Sequence, residues 1–230
     1  MIEQKERAIV ATIYHSWYIV AMKWSQLLKM VGKEPFFHSS LLKSGPVSMV
    51  DLGKQLSRWV NAGSLIQIRR GLYAFSDERG QAHPHPFALA NQMKRGSYVS
   101  LQSALAYYHL IPEYVAQVTS ITTGRPETVS NPLGDYIFKH VKKALFFGFQ
   151  TMEMVKGQEA FIARPEKALL DLVYLTAKTA LPKYFQELRL QNTSILKEDI
   201  LWEFADSSGS PKLRHAVPLI LSHLEDLQGK

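Results

Sequence analysis

Cysteine is absent from the 230 residues of this sequence. Its absence excludes disulfide bonds, cysteine-bound zinc and thiol catalysis, and it suits a reducing compartment. The Walker A loop, the GxGxxG pattern, the HExxH pattern and the GxSxG elbow are missing as well. His83 and His85 have no third ligand nearby in the sequence, so we expect a linker there and not a metal site. We therefore expect no catalytic residue, no metal, no cofactor and no enzymatic activity.

Long apolar runs are also lacking. The strongest candidate, Ala8–Met22, is interrupted by Thr12, His15 and Ser16. It is shorter than the roughly 18 apolar residues that a membrane-spanning helix needs. Two glutamates near the N-terminus spoil the positively charged start of a signal peptide. We expect no membrane association and, by default, a cytoplasmic protein.

Negative charge is scarce in the first third of the chain. The whole sequence has a net charge of +7 and a pI of about 9.5. Residues 1–80 contain 11 Lys and Arg against 6 Asp and Glu, whereas residues 81–230 contain 16 against 14. The polar stretch Ser76–Pro86 is rich in turn-forming residues and predicts a linker. We expect two domains, 1–80 and 81–230, with an anionic partner for the first.

The first domain has the pattern of helices followed by one hairpin. Helical spacing predicts helices over Ala21–Val31, Phe36–Lys43 and residues 49–62. Two strands, residues 64–68 and 72–75, then flank Arg69, Arg70 and Gly71. Gly71 supplies the positive φ of a tight turn. This order is typical of a winged helix-turn-helix, in which the third helix enters the major groove of DNA.

The third helix has one apolar and one polar side. Ser48 is a good N-cap, and Asp51 follows three residues later. The apolar stripe is formed by Met49, Leu52, Leu56, Trp59 and Val60. Lys54, Gln55 and Arg58 are left on the free side, and their residue types reach bases or phosphates. The alternative is a solvated face on which Asp51 pairs with Lys54.

The twin arginines of the hairpin favour the DNA-binding interpretation. A solvated turn more often uses Asn, Asp or Gly, whereas arginine suits phosphate and minor-groove contacts. Five of the six charged residues from Lys43 to Arg70 are positive. The candidate DNA-contacting residues are Lys43, Ser48, Lys54, Gln55, Arg58, Arg69 and Arg70.

The second domain mixes strands and helices, which makes the chain α+β overall. A helix is expected after Ser100, and another from Pro165 onward with Lys167 and Asp171 as an i,i+4 pair. Strands are expected over residues 117–123, 135–141, 144–155 and 159–163. An alternative function is a nuclease, because Asp135, Glu159, Glu166 and Lys167 could converge around a metal ion.

Four segments resemble the AbiEi-type antitoxins, the regulator half of abortive-infection toxin–antitoxin pairs in bacteria. They are Leu56–Phe75 (LSRWVNAGSLIQIRRGLYAF), Gly96–Glu113 (GSYVSLQSALAYYHLIPE), Val118–Pro126 (VTSITTGRP) and Ile162–Leu175 (IARPEKALLDLVYL). They occur in the order found in that family. Residues 1–20 have no counterpart in it and are an N-terminal extension.

The resemblance implies a repressor that binds inverted repeats in its own promoter on double-stranded DNA. It also implies a C-terminal domain that counters a cognate toxin of the nucleotidyltransferase type, although the family includes orphan regulators without a toxin. DNA contact then falls on the third helix and on the wing. Inverted repeats require two winged helices, from a homodimer or from cooperating monomers.

Overall fold

A computed structural model describes residues 22–44, 48–76, 83–113, 115–176 and 181–228. The chain divides into two compact units between Pro84 and His85. Each unit has its own sheet and helices, so the chain is of the mixed α+β class. The expected extension, residues 1–20, and residues 77–82 of the expected linker lie outside the described residues. No described helix has the length and apolar character needed to span a bilayer.

The described part of the first unit contains two α-helices, a short helix and a three-stranded antiparallel sheet. In chain order its elements are α1 (Trp24–Val31), β1 (Phe36–His38), a 3-10 helix (Ser39–Ser44), α2 (Met49–Asn61), β2 (Leu65–Arg69) and β3 (Leu72–Phe75). The strands lie in the order β1-β3-β2, with Phe37 opposite Tyr73 and Leu65 opposite Phe75. The hairpin predicted from the sequence is confirmed.

The helix predicted over Phe36–Lys43 is wrong in its first half. Phe36–His38 forms β1, and helical structure begins only at Ser39. Phe37 is buried against the rings of Tyr73 and Phe75, at centroid distances of 5.8 and 5.6 Å, whereas Leu41 is 48% exposed. A helix would have placed Phe37 and Leu41 on one face. Pairing with β3 therefore overrode the local pattern.

The core of the first unit confirms the apolar stripe of α2. Leu52 and Leu56 are almost completely buried, and Trp59 and Val60 pack against the same cluster. The Trp59 ring meets Trp24 of α1 edge-on, with centroids 5.1 Å apart. The side chain of Met49, also predicted for this stripe, lies outside the described part of the structure.

The second unit is built around a six-stranded mixed sheet in the order β6-β7-β5-β4-β9-β8. Its strands are β4 (Ser97–Val99), β5 (Gln117–Thr122), β6 (Glu127–Asn131), β7 (Gly134–His140), β8 (Phe149–Val155) and β9 (Gln158–Ala163). Its helices are α3 (Pro86–Met93), α4 (Leu101–Tyr107), α5 (Pro165–Leu175), α6 (Leu181–Leu188), α7 (Glu198–Ser207) and α8 (Pro211–Gln228). The central strand β4 is antiparallel to β5 and parallel to β9, so it joins the two halves of the sheet.

Most predicted elements of the second unit are present, with three omissions and one shifted start. Strands β4 and β6 and helix α3 were not predicted from the sequence pattern. The strand expected from residue 144 begins at Phe149, because Lys143–Leu145 forms a 3-10 turn. Helix α3 begins inside the expected linker, where Pro86 occupies the first turn and His85 Nδ1 accepts a hydrogen bond from Phe87 N at 3.2 Å. Proline suits that first helical position.

Candidate functional site

One face of α2 is exposed along its whole length. We call it the exposed α2 face, and its residues recur every three or four positions: Val50, Gly53, Lys54, Ser57, Arg58 and Asn61. Lys54 and Arg58 lie one turn apart, so both cations project on the same side. Gln55 is half-buried at the flank. The two cations were predicted for this face from the sequence. Val50 and Gly53 were not, although the same spacing would have placed them there.

The start of α2 is fixed by its predicted cap. Ser48 Oγ accepts a hydrogen bond from the backbone N of Asp51 at 3.2 Å and donates one to Asp51 Oδ2 at 2.6 Å. Asp51 Oδ1 lies 3.7 Å from Lys54 Nζ, and the Lys54 side chain is 64% exposed. The ion pair of the alternative interpretation is therefore present. Such an exposed contact contributes little to stability, so Lys54 can exchange it for a phosphate.

The twin arginines lie at the end of the β2–β3 hairpin. The pairing of β2 with β3 shifts register between Gln67 and Arg69, and Arg69 lies opposite Leu72 in the last pair. Gly71 has a φ of +83°, which allows the tight turn. Arg70 is exposed, whereas Arg69 is half-buried and engaged in an interaction. The carbonyl of Gly71 accepts a hydrogen bond from Ser39 N at 2.8 Å, so the turn lies against the start of the 3-10 helix.

The remaining candidate of the first unit is Lys43. Lys43 is the fifth residue of the 3-10 helix Ser39–Ser44, and its side chain lies outside the described part of the structure. Of the predicted DNA-contacting cations, the structure places Lys54 and Arg58 on α2 and Arg70 on the hairpin at exposed positions. Asp51 is the one carboxylate between residues 43 and 70. The chemistry of this region suits an anionic partner.

In the second unit, the carboxylates that suggested a nuclease do not converge. Asp135 of β7 pairs with Gln117 of β5, whereas Glu159 lies on β9, three strands along the sheet order. Neighbouring strands are about 4.8 Å apart, which separates the two carboxylates by about 14 Å laterally. The strand registers add a further separation of roughly 20 Å. Among the described residues, no three His, Asp or Glu side chains are grouped as a metal site requires.

Glu166 and Lys167 are buried at the start of α5 and begin a run of eight consecutive buried residues, Glu166–Val173. Glu166 Oε1 accepts a hydrogen bond from the backbone N of Lys197 at 3.0 Å. The helix is enclosed because it packs against β9 and against α4, α7 and α8. Both side chains therefore face the interior of the unit, where a polynucleotide substrate cannot reach them.

Lys167 belongs to a buried polar cluster, which we call the Asp171 cluster. Lys167 Nζ donates hydrogen bonds to Asp171 and, at 2.8 Å, to Tyr98 Oη. Tyr98 Oη and Ser100 Oγ each donate one to Asp171 Oδ2, at 2.9 and 2.8 Å. The helix expected after Ser100 begins at Leu101, and the Ser100 hydroxyl bonds to Asp171 instead of capping that helix. The predicted Lys167–Asp171 pair is confirmed, and both side chains are only 2% exposed.

Burial and charge act in opposite directions within the Asp171 cluster. Desolvation raises the pKa of Asp171, and Lys167, Ser100 and Tyr98 oppose that rise by stabilising the carboxylate. Desolvation likewise lowers the pKa of Lys167, and Asp171 opposes the shift. The cluster ties Tyr98 of β4 to α5 through hydrogen bonds among its four members, which is a structural arrangement.

A cavity of about 460 Å³ opens in the second unit beside α3 and α4. Among its lining residues, Ser103 Oγ donates to the carbonyl of Gln117 at 3.0 Å, and Glu113 pairs with Arg189. Burial lowers the pKa of His85, so its ring is neutral near pH 7, with Nδ1 already accepting the α3 cap bond. These polar groups are engaged within the protein.

Comparison with known proteins adds a distant structural likeness. No family model and no curated protein matches this sequence. Among solved structures, the chain is similar to the RV2827C protein from Mycobacterium tuberculosis. The identity is 13%, the TM-score is 0.46, and the alignment covers 84% of this chain and 79% of that one.

Proposed function

We propose that the protein is a DNA-binding transcriptional repressor whose first unit is a winged helix. The observation that carries this proposal is the exposed α2 face, with Lys54 and Arg58 one turn apart, followed by a hairpin that ends in two arginines. The order helix, strand, short helix, helix, hairpin supports it, because a winged helix has that order. In such a domain α2 would lie in the major groove and the hairpin along the backbone.

We further propose that the protein is an antitoxin of the AbiEi type that represses its own operon. The resemblance of four segments supports this assignment. One of these segments covers the second half of α2 and the hairpin, and another covers the end of β9 and α5. Its DNA target would be inverted repeats in its own promoter. Its protein partner would be a nucleotidyltransferase-like toxin. Co-purification of such a toxin with the tagged chain separates an antitoxin from an orphan regulator.

The hairpin is tested by changing Arg69 and Arg70 to alanine and measuring binding to the promoter duplex by fluorescence anisotropy. Each lost phosphate contact reduces the slope of log K against log salt by about 0.9, so the double variant flattens it by up to about 1.8. The control variant Lys29→Ala/Lys33→Ala removes the same charge from exposed positions in and just after α1. Equal affinity and slope for the hairpin variant and the wild type would show that the hairpin contacts no DNA.

The α2 face has a different expected signature. The triple variant Lys54→Ala/Gln55→Ala/Arg58→Ala removes side chains that reach base edges, and each good base contact provides about 1–3 kcal/mol of discrimination. We expect the ratio of promoter to random-duplex affinity to fall by at least about tenfold, while the residual binding stays salt-dependent. Absence of any duplex selected by the wild-type chain from a randomised pool would refute the proposed function itself.

A further inference from the structure

Gly53 is a glycine that the described fold does not require. It is the fifth of the 13 residues of α2, where glycine destabilises a helix interior relative to alanine. Its backbone is helical, so no positive φ calls for glycine. No atom lies within 4 Å of the position that a Cβ would occupy. The space beside Gly53 is therefore open in the described protein.

The neighbours of Gly53 on the exposed α2 face are an apolar side chain and two cations. Val50, one turn toward the N-terminus, is 68% exposed, the largest exposure among the large hydrophobic residues described. Ser57, one turn toward the C-terminus, donates its hydroxyl back to the carbonyl of Gly53 at 3.0 Å. Lys54 and Arg58 border this line. The exposed α2 face thus has a depression at Gly53, an apolar side chain toward its N-terminal end and positive charge along one side.

We propose that α2 lies in the major groove with Gly53 at its closest approach to the base edges and Val50 against the methyl group of a thymine. The proposal rests on the proposed function and specifies what the exposed α2 face reads. The thymine methyl is the apolar group that the major groove presents, and the base edges and phosphates beside it provide acceptors for Arg58 and for Lys54, which can exchange its exposed contact with Asp51 for them. The N-terminal half of the helix is the part that reaches bases in this mode of binding.

A partner protein is the competing occupant of this face. The core of a protein interface is depleted in charged residues and enriched in large aromatic anchors. The exposed α2 face has two cations, no aromatic residue and one exposed apolar side chain. That composition matches a duplex better than a protein.

The variant Gly53→Ala is expected to change the stability of the protein and its affinity for DNA in opposite directions. We expect it to raise the midpoint of thermal unfolding by about 2–4 °C, because alanine suits the helix and the position is open. We expect its affinity for a duplex selected by the wild-type chain to fall about tenfold, because an added methyl group overpacks a close interface. Asn61→Ala, at the far end of the same face, is the control and should bind nearly as the wild type does.

Unchanged affinity of Gly53→Ala for the selected duplex would overturn the close approach and leave the proposed function standing. Failure of the wild-type chain to select any duplex would overturn both. Weaker capture of a co-purifying protein by Gly53→Ala, with duplex binding unchanged, would assign the face to a partner protein.

Val50 is tested by removing the methyl group from the DNA instead of from the protein. Each thymine of the selected duplex is replaced in turn by deoxyuridine, which lacks only the methyl group. We expect one position at which this replacement weakens wild-type binding about fourfold, the effect of one buried methyl group. Val50→Ala should bind the thymine and deoxyuridine duplexes equally at that position. A loss that persists in Val50→Ala, or no sensitive thymine, would overturn the Val50 contact.

Discussion

Replacing Lys167 by methionine tests whether the Asp171 cluster is structural. Methionine keeps most of the apolar stem of lysine, which lies beside Gly148, but removes the ammonium group. The change deletes the hydrogen bonds to Tyr98 and Asp171 and leaves the Asp171 carboxylate without a counter-charge. Breaking a buried pair in this way costs about 3–5 kcal/mol, a large part of the stability of a domain. We expect a loss of that size at pH 7.

The loss should depend on pH in a defined direction. Burial raises the pKa of Asp171, and in Lys167→Met the opposing effect of Lys167 is gone. A carboxyl group whose folded pKa lies above its unfolded value favours folding at low pH, and this contribution is lost as pH rises through the folded pKa. The penalty of the variant should therefore be smaller at pH 5 than at pH 8. The double variant Lys167→Met/Asp171→Leu removes the stranded charge and should recover part of the stability.

Hydrogen exchange measured by mass spectrometry is the suitable assay, because peptides from β4 and α5 report the opening of the two elements that the cluster joins. Urea unfolding followed by circular dichroism gives the overall loss. A change of less than about 1 kcal/mol in Lys167→Met, or a penalty that does not change between pH 5 and pH 8, would refute the reasoning. A large loss of stability would also explain any loss of function in this variant without assigning Lys167 to catalysis.

Two further substitutions test local features. Ser48→Ala removes the α2 cap and should lower the free energy of unfolding by about 1 kcal/mol. Urea unfolding followed by tryptophan fluorescence measures this loss, because Trp24 and Trp59 are paired in the core of the first unit. An unchanged midpoint would show that the cap bond contributes nothing. Gly148→Ala should lower the free energy of unfolding by about 1–3 kcal/mol more than Gly157→Ala does. Both glycines have a positive φ, but of the two only Gly148 would have a Cβ 3.1 Å from neighbouring side chains. Equal losses would contradict this packing argument.

Features set by neighbouring residues were predictable from the sequence. The Ser48 cap, the buried side of α2 and the β2–β3 turn depend on residues within about one or two turns of each other, so spacing alone located them. The same rule predicted Lys54 and Arg58 as outward-facing. The role of Gly53 was not predicted, because it depends on the open space beside the residue, which is seen only in the folded structure.

Features set by distant residues were not predictable. Phe36–His38 is a strand because β3 pairs with it from more than 30 residues away. The Lys167–Asp171 spacing predicted an i,i+4 pair but not its burial, because Tyr98 and Ser100, which complete the buried cluster, lie far away in the sequence. Local spacing carries no information on which elements cover a helix, so the sequence suggested a catalytic role for a lysine that is enclosed.

The three-residue strand β4 has a consequence for the order in which the chain matures. Its register with β9 joins Val99 to Ile162, so the six-stranded sheet cannot close until residue 163 has left the ribosome. The strands described in the first unit have all been synthesised by Phe75. N-terminal domains generally fold first during synthesis. In a nascent chain, the exposed α2 face and the arginine hairpin therefore fold before the sheet of the second unit can be completed. The candidate DNA-binding unit thus reaches its folded state ahead of the rest of the protein.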